Sequence, residues 1–492
     1  MALIVRLAPE LILCISKYLG VRDAVLFLSC SSYLHSITKN RHFWQSHVQS
    51  MWSHYDVPSS TCDLSNAPIL ELQRMVARPY RFQRAIIKQN LARRSPTKLQ
   101  PPYARTTWIK DDCSEAILIP GGRWLVVLSQ GYDLEGTVSS LAVHEIRMPA
   151  EKNFAMVAHH VLRWEKGRYS SIAVAPDHMG LGPMIFVQIL HANPIRKFSL
   201  IAYRLRSLQP ATHALERVAS VDMLDLPISI GPLRATGSLL AHIYTGRNRH
   251  KLFVWDWVNG RYGVYRGDDN SIAVSAFIYV PSCNFLSPFT LENPILVTIE
   301  NDGALLLNEG RPDKMIKLSW PDSPIEEHLK PTSGPLVVNT PAVSIEDEFL
   351  MPNLQDTWLH PYIRHLVIPS KDWSTATQRP SLLIPDLSHG RAFLITIVPN
   401  ALSFVTQTFP LSTLSYSSQS TFHGKTISGH MIVCDNTGGV TTLLSGGGCT
   451  HQVLEKDINR RDTPTQVPFM CPVSGTFGYM GRQGQIFVWQ QK

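Results

Sequence analysis

The sequence predicts a mainly β chain with a small N-terminal helical domain (1–53) and a basic helical connector ending in a Pro-rich hinge (54–105). A β-propeller-like domain of about seven blades follows over 106–492. Three observations carry this prediction. Apolar residues change from helical to alternating spacing near residue 106. Beyond that point, short β-branched and aromatic runs recur in pairs joined by turn residues. Hydrophobic residues make up 44% of the 492 and charged residues 17%, which excludes a disordered polyelectrolyte and leaves a large core to bury.

The helical domain is legible from spacing and caps. Leu11, Ile15, Tyr18 and Leu19 form one apolar stripe on a short helix, with Pro9 at its first turn, where a missing N–H costs nothing. Gly20 reads as its C-cap and Asp23 as the cap of a second helix running from Ala24 to about Tyr33. A third helix is expected over about Phe43 to Met51. Three short helices bury too little surface to be very stable alone, and this set is apolar on several sides, so a partner's helices are expected to cover it.

In the connector, Asn66 precedes Ala67-Pro68 as an N-cap, and two helical stretches follow on either side of Pro79. Ser95 to Arg105 (SPTKLQPPYAR) reads as the hinge between two separable units. The net charge of +8 lives here: Arg74 to Lys110 holds ten basic residues and no acidic one, and without those ten the chain would stand at −2. The fold as a whole is therefore not basic. The block reads as a solvated helix and linker or as a dock for an acidic partner, and no RNA-binding signature accompanies it, so nucleic acid is not expected.

Seven hairpins define the β-domain. RWLVVL (123–128) pairs with LAVHEI (141–146), MIFVQIL (184–190) with FSLIAYRL (198–205), and SLLAHIY (238–244) with KLFVWDW (251–257). PILVTIE (294–300) is expected to pair with ALLLN (304–308), and AFLITIV (392–398) with LSFVTQTF (402–409). HMIVCD (430–435) faces VTTLLS (440–445), and TFGYM (476–480) faces QIFVWQQ (485–491). The interval 310–390 reads as one long blade with an insertion. The final strand is expected to complete a ring with a segment near Arg105 to Lys110, and Trp489 to pack between sheets. Radial repetition leaves few exposed edges, which favours a propeller; paired β-sandwiches are the alternative arrangement of the same hairpins.

Other function classes lack their chemistry. The eight cysteines contain no C-x-x-C pair, which excludes a zinc ribbon or a thioredoxin-like motif. No apolar run approaches the ~18 residues of a membrane span. Arg6, Pro9 and Glu10 interrupt any secretory leader, so reduced thiols in the cytoplasm or nucleus are expected. Gly424-Lys425-Thr426 lacks the first glycine of a phosphate loop, with Gln419 in its place. Neither His159-His160 nor His360 with His365 has a carboxylate or thiolate at ligand spacing. The sequence names no catalytic, cofactor-binding or metal-binding residue.

One resemblance adds to this reading. Leu7-Ala-Pro9-Glu10-Leu11, then Ile15, Leu19 and Asp23, resemble an F-box, with Phe27 and Cys30 in slots usually held by Leu and Val and Phe43-Trp44 in the closing Leu-Trp slot. The Pro stands one place late, and Leu34 occupies the slot where Trp is commonest. The ends Leu252-Phe-Val-Trp255-Asp256, Ile486-Phe-Val-Trp489-Gln490 and Leu141-Ala-Val-His144-Glu145 resemble degenerate WD-repeat endings. Fungal F-box proteins with a basic helical connector and a degenerate propeller are similar along much of the chain. The resemblance implies the substrate receptor of an SCF-type cullin–RING ubiquitin ligase. Leu7, Pro9, Glu10, Leu11, Ile15, Leu19, Asp23 and Phe27 would then dock on a Skp-type adaptor, while the propeller binds a protein substrate. A ligase-independent scaffold and, further off, a propeller enzyme are the other readings.

Overall fold

In the computed structural model, residues 7–87, 97–99, 112–266 and the strands between 274 and 490 are described, apart from short internal gaps. Side chains are described within 7–82, 115–260 and 469–488. Five α-helices precede the sheets: α1 (Pro9–Ser16), α2 (Val21–Leu28), α3 (Ser32–Ile37), α4 (Arg41–His54) and α5 (Ile69–Ile87). The second expected helix is thus two. Ser31 interrupts it and caps α3 by accepting a hydrogen bond from Leu34 N at 3.1 Å, so a local side-chain bond overrides the continuous apolar pattern. Asp23 lies in the first turn of α2, which begins at Val21, and not at its cap. The two stretches around Pro79 are, conversely, one helix. Pro79 removes one backbone bond, but Leu72, Met75, Val76 and Phe82 bury a single face that holds α5 together across it.

The β-domain is a β-propeller, with seven four-stranded antiparallel sheets among the described residues, six of them built from strands consecutive in the chain. The first blade comprises Asp112–Leu118, Trp124–Asp133, Gly136–Ile146 and Phe154–Arg163, and the second spans strands from Arg168–Pro176 to Thr212–Leu224. The third runs from Ser229–Thr236 to Arg261–Arg266, the fourth from Val274–Tyr279 to Ser344–Leu350, the fifth from Ile368–Lys371 to Ser403–Pro410, and the sixth from His423–Ile427 to Cys449–Val453. Six of the seven expected hairpins pair as read, for example Trp124 with Glu145 and Phe393 with Thr408. The exception is Ile295–Glu300, which pairs with Asp313–Ser319; residues 304–308 lie outside the described residues. The interval 310–390 is accordingly shared between the fourth and fifth blades and is not one long blade.

The seventh sheet joins the last three strands to one that precedes the first blade. Phe469–Cys471, Thr476–Met480 and Ile486–Gln490 are followed at the sheet's edge by Thr97–Leu99, with Thr97 opposite Val488 and Leu99 opposite Ile486. The N-terminal partner of the last strand therefore comes from within the expected hinge; Arg105 to Lys110 and the Trp489 side chain lie outside the described residues. All three WD-like endings fall on the third strand of their blade, counted from Asp112–Leu118, Ser229–Thr236 and Phe469–Cys471.

Strands of the first two blades are buried on both faces, which explains their unbroken apolar runs. Along Trp124–Leu128, Trp124, Val126 and Leu128 face a core shared with the second blade, while Leu125 and Val127 face a core shared with the helices and the seventh blade. In the second blade, Ile185, Val187 and Ile189 face the first blade, and Met184 and Phe186 face the third. Side chains also stitch consecutive blades to one another. Tyr169 N donates to Ser139 Oγ at 3.1 Å and Ile172 N to Glu115 Oε2 at 3.0 Å, so backbone N–H groups outside the ladders find partners.

Candidate docking face on the N-terminal helices

The helix α1 begins without a side-chain cap; Ala8 is extended and its carbonyl accepts from Leu11 N and Ile12 N at 3.0 and 3.2 Å. Pro9 opens the helix, and Glu10 stands in its first turn, where a carboxylate complements the helix dipole. Ile12 and Ser16 are the residues that α1 buries, with the Ser16 hydroxyl donating to Leu13 O at 2.8 Å. Leu11 and Ile15 point the other way and are 53% and 41% exposed. The helix thus sits on the protein by one face and offers a second apolar face to solvent.

The helix α2 repeats the arrangement. Val21, Ala24 and Leu28 face inward, whereas Val25 and Leu26 are 37% and 55% exposed. Of the residues singled out in the sequence, Pro9, Glu10, Leu11, Ile15 and Asp23 are exposed, while Leu7, Leu19 and Phe27 are half-buried against the helical core. Tyr33 ties the entry of α1 to α3 by donating its hydroxyl hydrogen bond to Leu7 O at 3.0 Å. Val25 and Leu26 lie outside the set singled out in the sequence, and their exposure shows only once Val21, Ala24 and Leu28 have entered the helical core.

Beneath this face lies a packed support. Leu34, in the usual Trp slot, is buried, so an apolar side chain fills that site. Phe43 is fully buried and meets Trp44 edge-on at 4.8 Å and His47 at 4.6 Å. Trp44 Nε1 donates to Thr38 O at 2.6 Å, which fixes α4 against the end of α3. Burial lowers the pKa of His47 to about 4, so it is a neutral member of the core.

The described residues contain one Ser/His/Asp constellation, on the second blade, and its order is wrong for nucleophilic catalysis. Ser199 Oγ donates to Asp222 Oδ1 at 2.5 Å and lies 2.6 Å from His191 Nε2. The hydroxyl sits between carboxylate and imidazole, whereas a general base needs the imidazole between the other two.

No protein-family model and no curated protein matches the chain. Among solved structures, Sqt1 of Saccharomyces cerevisiae is similar over 81% of this chain and 100% of that one, at 10% identity and a TM-score of 0.37. A chain of the mitotic checkpoint complex is similar over 80% of this chain and 98% of its own, at 11% identity and a TM-score of 0.41. The WD40 β-propeller domain of Doa1 covers 74% of this chain and 90% of its own length, at 9% identity and a TM-score of 0.38.

Proposed function

We propose that the chain is a protein-interaction scaffold that serves as a substrate receptor of an SCF-type cullin–RING ubiquitin ligase. In this reading the helices α1 and α2 dock on a Skp-type adaptor, and the propeller binds the protein to be modified. The observation that carries it is the set of four exposed apolar side chains, Leu11, Ile15, Val25 and Leu26, on two short helices whose other faces are already used. Exposed leucine, isoleucine and valine side chains on two helices successive in the chain are suited to a protein contact. The ordered set from Leu7 to Asp23 supports an F-box as the identity of that contact.

Such a receptor carries out no bond-making step. It holds a substrate lysine near a ubiquitin thioester on another subunit, and the rate gain comes from proximity and orientation.

The test is reconstitution with a purified Skp-type adaptor, read by size-exclusion chromatography and calorimetry. The wild-type chain should form a one-to-one complex. Leu11→Lys with Ile15→Lys should abolish it with little change in melting temperature, because both side chains are about half exposed and lie outside the helical core. A wild-type chain that stays free of the adaptor would withdraw the ligase assignment and leave the scaffold.

A further inference from the structure

We propose that the N-terminal helical cluster is the clasp of the β-domain: it spans the seam between the first and seventh blades and opens together with them as one cooperative unit. The proposal is independent of what docks on α1 and α2.

A shared core is the first observation. One contiguous set of buried side chains contains Ile12, Leu28, Phe43, Met51 and Phe82 from the helices, Leu118, Leu125 and Val127 from the first blade, and Phe469, Ile486 and Val488 from the seventh. Leu125 and Val127 point into this shared set, because the opposite face of their strand is already filled by the second blade.

The tight turn from Ile119 to Trp124 touches both neighbours at once. Gly121, at φ +95°, approaches the segment after α4 so closely that a Cβ there would lie 2.8 Å from Val57 Cγ1 and 2.9 Å from Thr61 Cγ2. At Gly122, φ +70°, a Cβ would lie 1.8 Å from Ser474 Oγ in the turn of the seventh blade. Two adjacent residues thus press one hairpin tip against the helical unit on one side and the last sheet on the other. Glycine is required twice, for the backbone angle and for the space.

Polar contacts pin the same place. Arg123 Nη1 donates to Thr61 O at 3.0 Å, and its Nε and Nη2 donate to Glu145 Oε1 at 2.9 and 2.8 Å. Glu145 is buried and sits in the acidic slot of a WD-like ending, so the residue that anchors the third strand of the first blade also holds the arginine that reaches the helical unit. Ile146 N donates to Arg123 O at 2.7 Å and closes the arrangement. The chain then leaves the helices and supplies Thr97–Leu99 to the seventh sheet, whose other end, Phe469–Cys471, lies against Asp112–Leu118. Helices, first blade and seventh blade therefore meet by side chains, by a shared turn and by a shared sheet.

Native-state hydrogen exchange on the full chain, followed against denaturant, tests this directly. Amides of α4, of Asp112–Leu118 and of Ile486–Gln490 should converge on one opening transition. Helices that open at lower denaturant while Ile486–Gln490 stays protected would overturn the proposal. Arg123→Met keeps the aliphatic stem and removes the charged donors, so exchange in all three segments should rise together, by about tenfold or more for hydrogen bonds of a charged group. A rise confined to the helices, or to the first blade, would equally overturn it.

Discussion

Gln188 Nε2 and His242 Nε2 lie 3.1 Å apart in the buried seam between the second and third blades. The amide nitrogen can only donate, so Nε2 of the imidazole accepts and its proton is on Nδ1. Burial lowers the pKa of His242 to about 3, and the same cause lowers His144 and His47 to about 4. Each imidazole belongs to a different packed junction: His242 to a blade seam, His144 to the first blade, His47 to the helices.

These histidines predict an acid-sensitive fold. Their folded-state pKa values lie below the ordinary 6.5, so the unfolded chain binds more protons between pH 6.5 and 4. Their contribution is complete above pH 6.5 and is lost as pH falls towards 4. Each imidazole loses about 1.4 kcal/mol per pH unit across that window. Denaturant midpoints at pH 7.5 and 5 should show a clear drop; equal midpoints would mean that these imidazoles are hydrated in the folded protein.

Neighbouring residues on the helices should part in their effects. Ile12→Ala removes a fully buried side chain and should cost about 2–5 kcal/mol of stability. Leu26→Ser lies in solvent and should change stability by less than about 0.5 kcal/mol, yet weaken adaptor binding in the reconstitution described above. Adaptor binding that survives Leu26→Ser but not Ile15→Lys would restrict the contact to α1.

A compensating pair tests the turn. Gly122→Ala places a methyl group on Ser474 and should lower the melting temperature sharply. Adding Ser474→Gly removes the obstructing atoms and should restore most of the loss. What remains is the cost of an L-residue at φ +70°, about 1–2 kcal/mol. No recovery in the double variant would mean that backbone angle, not space, decides this position.

Truncation tests the terminal strand. Deleting residues 484–492 removes Ile486–Gln490, the strand between Thr97–Leu99 and Thr476–Met480, together with the buried Ile486 and Val488. The exposed edge should make the protein aggregate, read by light scattering, although no residue of the docking face is touched. A soluble truncated chain with an unchanged melting temperature would show that the strand is dispensable.

The period of the apolar residues was enough to find six hairpins with their partners, because tight turns make strand pairing a local matter. It was not enough where the connection was longer: Ile295–Glu300 reaches over an intervening segment to Asp313–Ser319, and no short-range pattern marks that choice. On the helices, Leu11 and Ile15 were legible as an apolar pair, but whether they faced a core or solvent was not.

Sequence alone therefore determined what depends on neighbours in the chain: mainly β content, one hairpin for nearly every blade, an N-terminal helical cluster, and the ordered residues from Leu7 to Asp23. Tertiary structure decided what depends on distant surfaces competing for the same side chain. Ile12 and Ser16 took the inward face of α1 and left Leu11 and Ile15 outside; Thr97–Leu99, read as hinge, became a strand because Ile486–Gln490 offered it an open edge. An apolar residue is equally ready to be buried against its own fold or against a partner, and only the packing of the remaining chain leaves it one or the other.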